Sequence, residues 1–262
     1  MTILDQIIAD KKREVALKKS IISIQQLESS DLFGKHTISL SEHIKKSAGI
    51  IAEHKRRSPS KAIINNSFSV EEIVKEYEKG GASGISVLTD AKYFGGSLED
   101  LQLARAAVSL PLLRKEFIVD TYQIVEAKSH GADAILLIAA VLTREEIRQL
   151  SQFAQSLSLE VLLEIHNHEE LEKAMMPSLD LIGVNNRNLN NFETSLTNSF
   201  ELAASIPNDF VKISESGINT PEDIQKLKKY GFEGFLVGES FMKSDNPGLA
   251  LEKFIKEINS NL

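Results

Sequence analysis

The sequence predicts a closed (β/α)8 barrel. Three observations carry that expectation: eight short apolar runs, helical patterns between them, and three segments that align without a gap. The segments are GASGISVL from Gly81, GADAILLI from Gly131 and GFEGFLVG from Gly231. Each follows a charged, helix-like stretch: VEEIVKEYEKG, YQIVEAKSH or EDIQKLKKY. Glycine suits the left-handed position that ends a helix. The apolar run behind it suits a strand covered on both faces, as in a parallel sheet. The segment starts lie 50 and 100 residues apart, which fits a repeated unit of roughly 25 residues.

The remaining strands are expected over Gly49–His54, Pro111–Lys115, Glu160–Ile165, Leu179–Asn185 and Phe210–Glu215. Helical patterns fall between them, as over Thr143–Ser156 and Thr220–Tyr230. The second opens NTPED, with Thr220 as N-cap and Pro221 at the first helical position. Strands alternating with helices imply right-handed βαβ units, and eight of them in about 200 residues close a barrel. A doubly wound open sheet is the alternative, but no glycine-rich dinucleotide fingerprint follows the first strand. The reading is one barrel domain over residues 1–262, with a helical extension over 1–48 and the barrel over 49–262. In the extension, ILDQIIADKKREVALKKS sets Leu4, Ile7, Ile8 and Val15 on one stripe, as in a helix laid over one end of the barrel.

Composition narrows the function. The chain has no cysteine, so disulfides, a thiolate nucleophile and thiolate metal sites are excluded. A net charge of −7 disfavours nucleic-acid and anionic-membrane partners. The longest apolar run, AILLIAAVL at Ala134–Leu142, falls short of the roughly 20 residues of a membrane span. The N-terminal stretch lacks the apolar core of a signal peptide. A soluble, cytoplasmic protein is expected, and nothing demands more than a monomer.

In such barrels the chemistry sits at the carboxyl ends of the strands. There the sequence reads AEHKRRSPS, LLRKEF, LLEIHNH, GVNNRNL, KISESG and FLVGESF, after strands one, three, five, six, seven and eight. Glu53 and Lys55 are two apart and share a strand face, which turns His54 and Arg56 elsewhere. By the same alternation, Lys115 takes the mouth face and its neighbours Arg114 and Glu116 do not. Lysines and carboxylates gathered at one mouth shift each other's proton affinity and make an acid–base set. Salt bridges closing the barrel top are the bland alternative. The basic run HKRRSPSK reads as one wall of an anion site, with Arg56, Arg57 and Lys61 solvated or anchoring the loop. Gly217 and Gly238 stand behind strands seven and eight, where barrels commonly hold phosphate on loop amides and on a short extra helix; ESFM is a candidate for that helix. Glu164, His166 and His168 form E-x-H-x-H, a possible metal pattern, but HNHEEL reads as a loop capping the next helix.

Taken together, IAEHKRRSPSK, ISVLTDAKYFGGS, PLLRKEFIVDTYQI, GADAILLI, VLLEIHN, IGVNNRNL, ISESGI and FLVGESFM run in order over almost the whole chain. As a set they resemble the indole-3-glycerol-phosphate synthase family of tryptophan biosynthesis. The resemblance implies a carbon–carbon lyase that uses no metal or organic cofactor. Its substrate would be the sugar phosphate 1-(2-carboxyphenylamino)-1-deoxyribulose 5-phosphate, converted to indole-3-glycerol phosphate, CO2 and water. It implies Lys115 as general acid at the C2 carbonyl and Glu164 as base in the later phase. Lys55 would bind the substrate carboxylate and share the acid role, tuned by Glu53, while Asn185, Glu215 and Ser216 orient the substrate. Arg187 matches a position near the ribulose chain; Ser58, Pro59, Phe94, Phe117, Leu136 and Leu189 match positions around an apolar slot. Phosphate would sit on the amides of Gly217, Gly238 and Glu239, with Lys55 nearby. Two residues depart from the family pattern. Glu239 sets a carboxylate where a small polar residue would suit a phosphate better, and Ala62 stands where glycine is common. Three rivals remain: a barrel like phosphoribosylanthranilate isomerase, whose family resembles a Cys and Asp pair; a hydrolase with a metal on His166 and His168; and a non-catalytic anion-binding barrel.

Overall fold

The computed structural model describes residues 2–59, 61–65, 67–188 and 193–260. Three helices come first: α1 (Ile3–Ile21), α2 (Ile24–Glu28) and α3 (Leu40–Lys45). The first half of the barrel follows as β1 (Ile50–His54), α4 (Val70–Gly80), β2 (Gly84–Leu88), α5 (Ala91–Phe94), α6 (Leu98–Ala107), β3 (Leu112–Lys115), α7 (Thr121–Ser129) and β4 (Ala134–Ile138). The second half is α8 (Arg144–Ser156), β5 (Glu160–Ile165), α9 (His168–Ala174), β6 (Leu181–Asn185), α10 (Thr197–Leu202), β7 (Val211–Glu215), α11 (Pro221–Lys229), β8 (Gly234–Val237), α12 (Glu239–Met242) and α13 (Pro247–Ser260). The strands pair in parallel in sequence order, and β8 closes on β1. The expected (β/α)8 barrel is present, and the open doubly wound alternative is ruled out by that closure.

Local chemistry sets the element ends. Gly81, Gly131 and Gly231 all take left-handed φ, at +92°, +86° and +86°, where a residue with a Cβ is strained. Thr220 accepts a hydrogen bond from the Asp223 amide, and Pro221 opens α11 where no intrahelical N–H is needed. Strands β1, β3, β6 and β7 each begin one or two residues later than expected. Gly49 is left-handed (φ +80°) and so cannot extend β1; the Asp180 carboxylate accepts from the Val161 amide (2.8 Å), so this residue acts as a connector.

Two apolar shells hold the barrel. The outer lies between strands and helices, with Val74, Tyr77, Leu101, Ile147 and Leu227 buried in it. The inner fills the barrel with Ile51, Leu113, Leu136, Leu162, Leu181, Ile213 and Leu236, and Leu40 and Ile44 of α3 plug it from below. Burial of each such side chain is worth about 1.5–3 kcal/mol. The extension thus serves both ends. α3 closes the bottom, whereas Ile3, Leu4 and Ile7 of α1 line the cavity at the mouth. Val15, further along α1, packs instead on Tyr122 and Val125 of α7.

Candidate active site

The odd-numbered strands share one pattern. Each carries an inward apolar residue and, two positions on, an inward ionisable one: Ile51 then Glu53, Leu113 then Lys115, Leu162 then Glu164, Ile213 then Glu215. Spacing by two keeps both on one strand face, so a charged layer stacks directly on the apolar one. In such barrels the four side chains of one layer come from alternate strands. Here the upper layer is one ammonium among three carboxylates.

Lys115 bonds the Glu215 Oε2 atom directly and lies 3.4 Å from Glu164 Oε2. Burial alone would strip its proton, but Glu215, Glu164 and Glu53 outweigh that and hold the ammonium above its ordinary value. Burial likewise raises Glu164 and Glu53, yet both end below the usual carboxylate range. Lys115, His166 and an Asn185 hydrogen bond lower Glu164; Lys55 and Lys115 lower Glu53. Glu215 goes the other way. Burial, with Glu164 and Glu53 nearby, pushes it up to about 7 despite Lys115. Its Oε1 is buried with no hydrogen-bond partner among the described residues. Lys55 pairs with Glu53 at 2.6 Å, as their shared strand face implied.

Glycines on β6 and just past β8 make the room. A Cβ on Gly183 of β6 would collide with Glu215 Oε1, and one on Gly238 would lie 2.8 Å from both Cβ and Oε1 of Glu53. The loop behind β7 turns on Ser216 (φ +67°) and Gly217 (φ +75°). A left-handed serine costs roughly 1–2 kcal/mol. Asn186 braces it, donating to Ser216 O (3.1 Å) and to Ser214 Oγ (2.9 Å). The sequence reading passed over Asn186; its doubling with Asn185 was the available signal.

These side chains surround one cavity of about 270 Å³. Its wall includes Glu53, Lys55, Ser58, Pro59, Phe94, Lys115, Phe117, Leu136, Glu164, Asn185, Arg187, Glu215, Ser216, Gly217, Gly238 and Glu239. The geometry therefore gathers every candidate from the sequence except Leu189, which lies outside the described residues. Around β2 to β4 the wall is apolar: Leu88, Phe94, Phe117, Leu136 and Ile138, with Ile3, Leu4 and Ile7 of α1. The Phe94 and Phe117 rings stand 6.0 Å apart. On the opposite arc, behind β7 and β8, come Gly217, Gly238 and the first turn of α12, the short helix expected over ESFM. First-turn amides have no acceptor within their own helix.

Several expectations need correction. Glu116 is not excluded from the cavity: it lies beyond the end of β3 and joins the wall, where it pairs with buried Lys11 of α1 at 3.1 Å. Of the two expectations for Lys61, solvated or anchoring the loop, the structure shows the anchor: partly exposed, it bonds Glu239. Glu239 also meets Lys243 (2.6 Å) and Arg187 (3.6 Å). Partial burial opposes the effect, but Lys243 and Lys61 bring this carboxyl down to about 2. Its charge is thus met by three cations beside the glycine loops. Arg56 is a loop anchor, clasping Asp100 at 2.5 and 2.8 Å. His54 is buried facing away, its imidazole lowered to about 4 by burial and by Arg56. Asn167 caps α9 directly, so HNHEEL is the helix start itself rather than a preceding loop. That leaves His168 exposed on α9, and no group of three or more His, Asp or Glu among the described residues is placed to hold a metal.

A closed barrel with an ammonium and three carboxylates in one inward layer at its mouth is the architecture of a barrel enzyme. The chain belongs to the indole-3-glycerol phosphate synthase family, whose model matches residues 4–256. Indole-3-glycerol phosphate synthase of Bacteroides thetaiotaomicron is 50% identical over 261 residues, 98% of each chain. That of Koribacter versatilis is 42% identical over 257 residues, 96% of this chain and 98% of its own. Among solved structures, a mutant tryptophan synthase alpha-subunit from Pyrococcus furiosus is similar with a TM-score of 0.62 at 14% identity, covering 82% of this chain and 98% of that one. Thiamine phosphate pyrophosphorylase from the same organism gives 0.61 at 16% identity, covering 84% and 98%. At such identities the likeness is one of fold.

Proposed function

We propose that the chain is a carbon–carbon lyase that converts 1-(2-carboxyphenylamino)-1-deoxyribulose 5-phosphate into indole-3-glycerol phosphate, CO2 and water. The observation that carries this is the charged Lys115, held between Glu215 and Glu164 beneath a cavity that is apolar on one arc and glycine-lined on the other. Lys115 delivers its proton to the C2 carbonyl as the ring carbon bearing the carboxylate attacks it. Carbon dioxide then leaves. The resulting hydroxyl departs as water, and Glu164 takes the proton released as the indole forms. Lys55, oriented by Glu53, meets the substrate carboxylate and shares the acid role. Glu215 Oε1, otherwise unpartnered, accepts or donates a bond to a substrate hydroxyl; Asn185 and Ser216 complete that orientation. Phe94, Phe117, Leu136 and Pro59 enclose the aromatic ring, with Ser58 and Arg187 at the rim. The phosphate binds the backbone at Gly217, Gly238 and Glu239, with Lys55 near it; the cations around Glu239 answer the objection that its carboxylate would repel it.

The reading places the enzyme in the cytoplasm as a monomer acting on a small sugar phosphate, with no nucleic-acid or membrane partner and no cofactor. No helix among the described residues is long and apolar enough to cross a membrane. The test mixes purified, EDTA-treated protein with the substrate and follows indole fluorescence, with Lys115→Met alongside. Indole from the wild type and almost none from the variant supports the reading. A folded wild type that forms no indole removes it and leaves the binding-only barrel or a metal enzyme.

A further inference from the structure

Two cavities meet at the end of β5. Glu164 lines the active cavity, and His166 lines a neighbouring cleft of about 990 Å³. Leu4, Asn185 and Arg187 line both, and His166 stands on the cleft side, next to Glu164 on the cavity side. Its Nε2 lies 3.6 Å from Glu164 Oε1, and its Nδ1 lies 3.2 Å from Glu170 Oε2. Nε2 is buried and has no hydrogen-bond partner among the described residues. Glu170, which also lines the cleft, accepts in addition from the His166 backbone amide (2.8 Å). The other oxygen of Glu164 faces Lys115 Nζ at 3.4 Å. A line of ionisable groups therefore runs from the cleft through Glu170, His166 and Glu164 to Lys115, with its widest step, 3.6 Å, between His166 and Glu164.

We infer that His166 is the relay through which the active site takes up protons from water, handing them to Glu164 and so to Lys115. The inference rests on the ring-closing reaction proposed above, whose balance requires such a path. One proton goes to the carbonyl oxygen and a second to the departing hydroxyl, while one returns from the substrate as the indole forms. With the substrate carboxylate ionised, breaking its C–C bond to release neutral CO2 leaves a net uptake of one proton per turnover. That proton has to reach Lys115, whose side chain is only 12% exposed, beside Glu164 at 7%. Water in the cleft supplies the proton to Nδ1, and Glu170 orients the ring. The Nε2–H bond breaks as Glu164 Oε1 gains its proton; the carboxyl then turns about its Cγ–Cδ bond, and its O–H reprotonates Lys115 Nζ.

The groups facing the imidazole favour this work. Burial works against the charged imidazole, with the Lys115 ammonium beyond Glu164, but Glu170 from α9, Glu164 from β5 and Glu215 from β7 outweigh it and hold its proton affinity above the ordinary value. Across the cleft stand Asp5 and Lys12 of α1, Arg187, Glu193, and Glu201 of α10, a mixed set that keeps this side polar. His166 touches no substrate in this scheme. It is a positioning and relay residue.

The test measures kcat and KM against pH for the wild type, His166→Ala and Glu170→Gln, with and without added imidazole, and compares their thermal melts. His166→Ala is expected to lose kcat by roughly tenfold or more, with KM within about twofold. Imidazole entering the vacated space from the cleft should restore turnover in a concentration-dependent way. Glu170→Gln should move the limb of the pH profile set by His166 to lower pH. A His166→Ala enzyme with wild-type kcat, or one that melts normally yet gains nothing from imidazole, overturns the relay. A wild type that makes no indole overturns the ring-closing reading and the relay with it, so the two failures are told apart by the wild-type arm.

Discussion

Lys115 on β3 and Glu215 on β7 are bonded across the full width of the barrel. The two strands are four apart in a ring of eight, so this one ion pair spans the mouth. Everything else in the charged layer is arranged about it.

Removing the cation tests that arrangement. Lys115→Met should lower kcat by about 10²–10⁴-fold. It also leaves Glu215 and Glu164 without their ammonium and takes one of two lysines from Glu53, so the proton affinities of these buried carboxylates rise. A group raised on folding contributes stability below its unfolded value and loses that contribution as pH rises through its folded value. The melting temperature of the variant should therefore fall, relative to wild type, as pH rises from about 5 to about 8. Calorimetry across that range checks it; parallel curves would mean that the carboxylates do not depend on Lys115.

Glu215 carries the same sign in the wild type. Its carboxyl stands at about 7 when folded, against about 4.3 for a free glutamate. The stability it contributes is complete below the lower value and lost as pH passes through the upper one. Glu215→Gln should flatten the wild-type decline in stability over that window, by up to about 4 kcal/mol in total, which thermal melts across the range read.

Gly183→Ala is a steric test of the same carboxylate. The new Cβ would take the space of Glu215 Oε1. Overpacking of this kind costs about 1–3 kcal/mol, and the displaced Glu215 should lower kcat more than that stability loss suggests. A variant with unchanged kcat would show that Glu215 has room to move without consequence.

Glu239→Gln tests the tie across the first loop. Lys61 reaches Glu239, and Asn65 donates to Met242 O at 2.8 Å, so the segment behind β1 is fastened to α12. Neutralising Glu239 should speed tryptic cleavage after Arg57 and Lys61. In the wild type the carboxyl is lowered to about 2, so its contribution is present above the unfolded value and lost as pH falls towards 2. Cleavage by an acid-active protease in that loop should accelerate over the same interval.

Lys11→Met tests the seating of α1. The Lys11 ammonium is buried between Asp90 (3.0 Å), Glu116 (3.1 Å) and Glu14 (2.9 Å). Removing one partner of a buried ionic cluster costs about 3–5 kcal/mol. Denaturant melts should show that loss, and KM should rise because Ile3, Leu4 and Ile7 on the same helix lose their place on the cavity wall.

The contrast between Lys55 and Lys11 shows what the sequence made legible. Lys55 follows Glu53 by two, one residue past the end of β1, so the period of a strand was enough to pair them. Lys11 looks like an ordinary polar-face residue of an amphipathic helix. Its partners Asp90 and Glu116 stand on loops far along the chain, and no local period connects them. Likewise the stripe of Leu4, Ile7 and Ile8 announced a packed helix without saying which end of the barrel it covered. Glu239 read as a misfit because the cations that answer it, Lys61, Arg187 and Lys243, come from three separate segments. The strand-end residues were readable because the barrel converts order along the chain into position around a ring. Contacts made from outside that ring were not.

The alternate-strand pattern also divides the mouth's charge between the two halves of the chain. The half from β1 to β4 brings Lys55 and Lys115, with Glu53 beside Lys55. The half from β5 to β8 brings Glu164 and Glu215, both acidic. Lys115 meets its nearest carboxylates, Glu164 and Glu215, only from the other half of the chain. Closure of β8 on β1 and of β4 on β5 is therefore also a neutralisation, and the acid–base layer exists only in the completed ring.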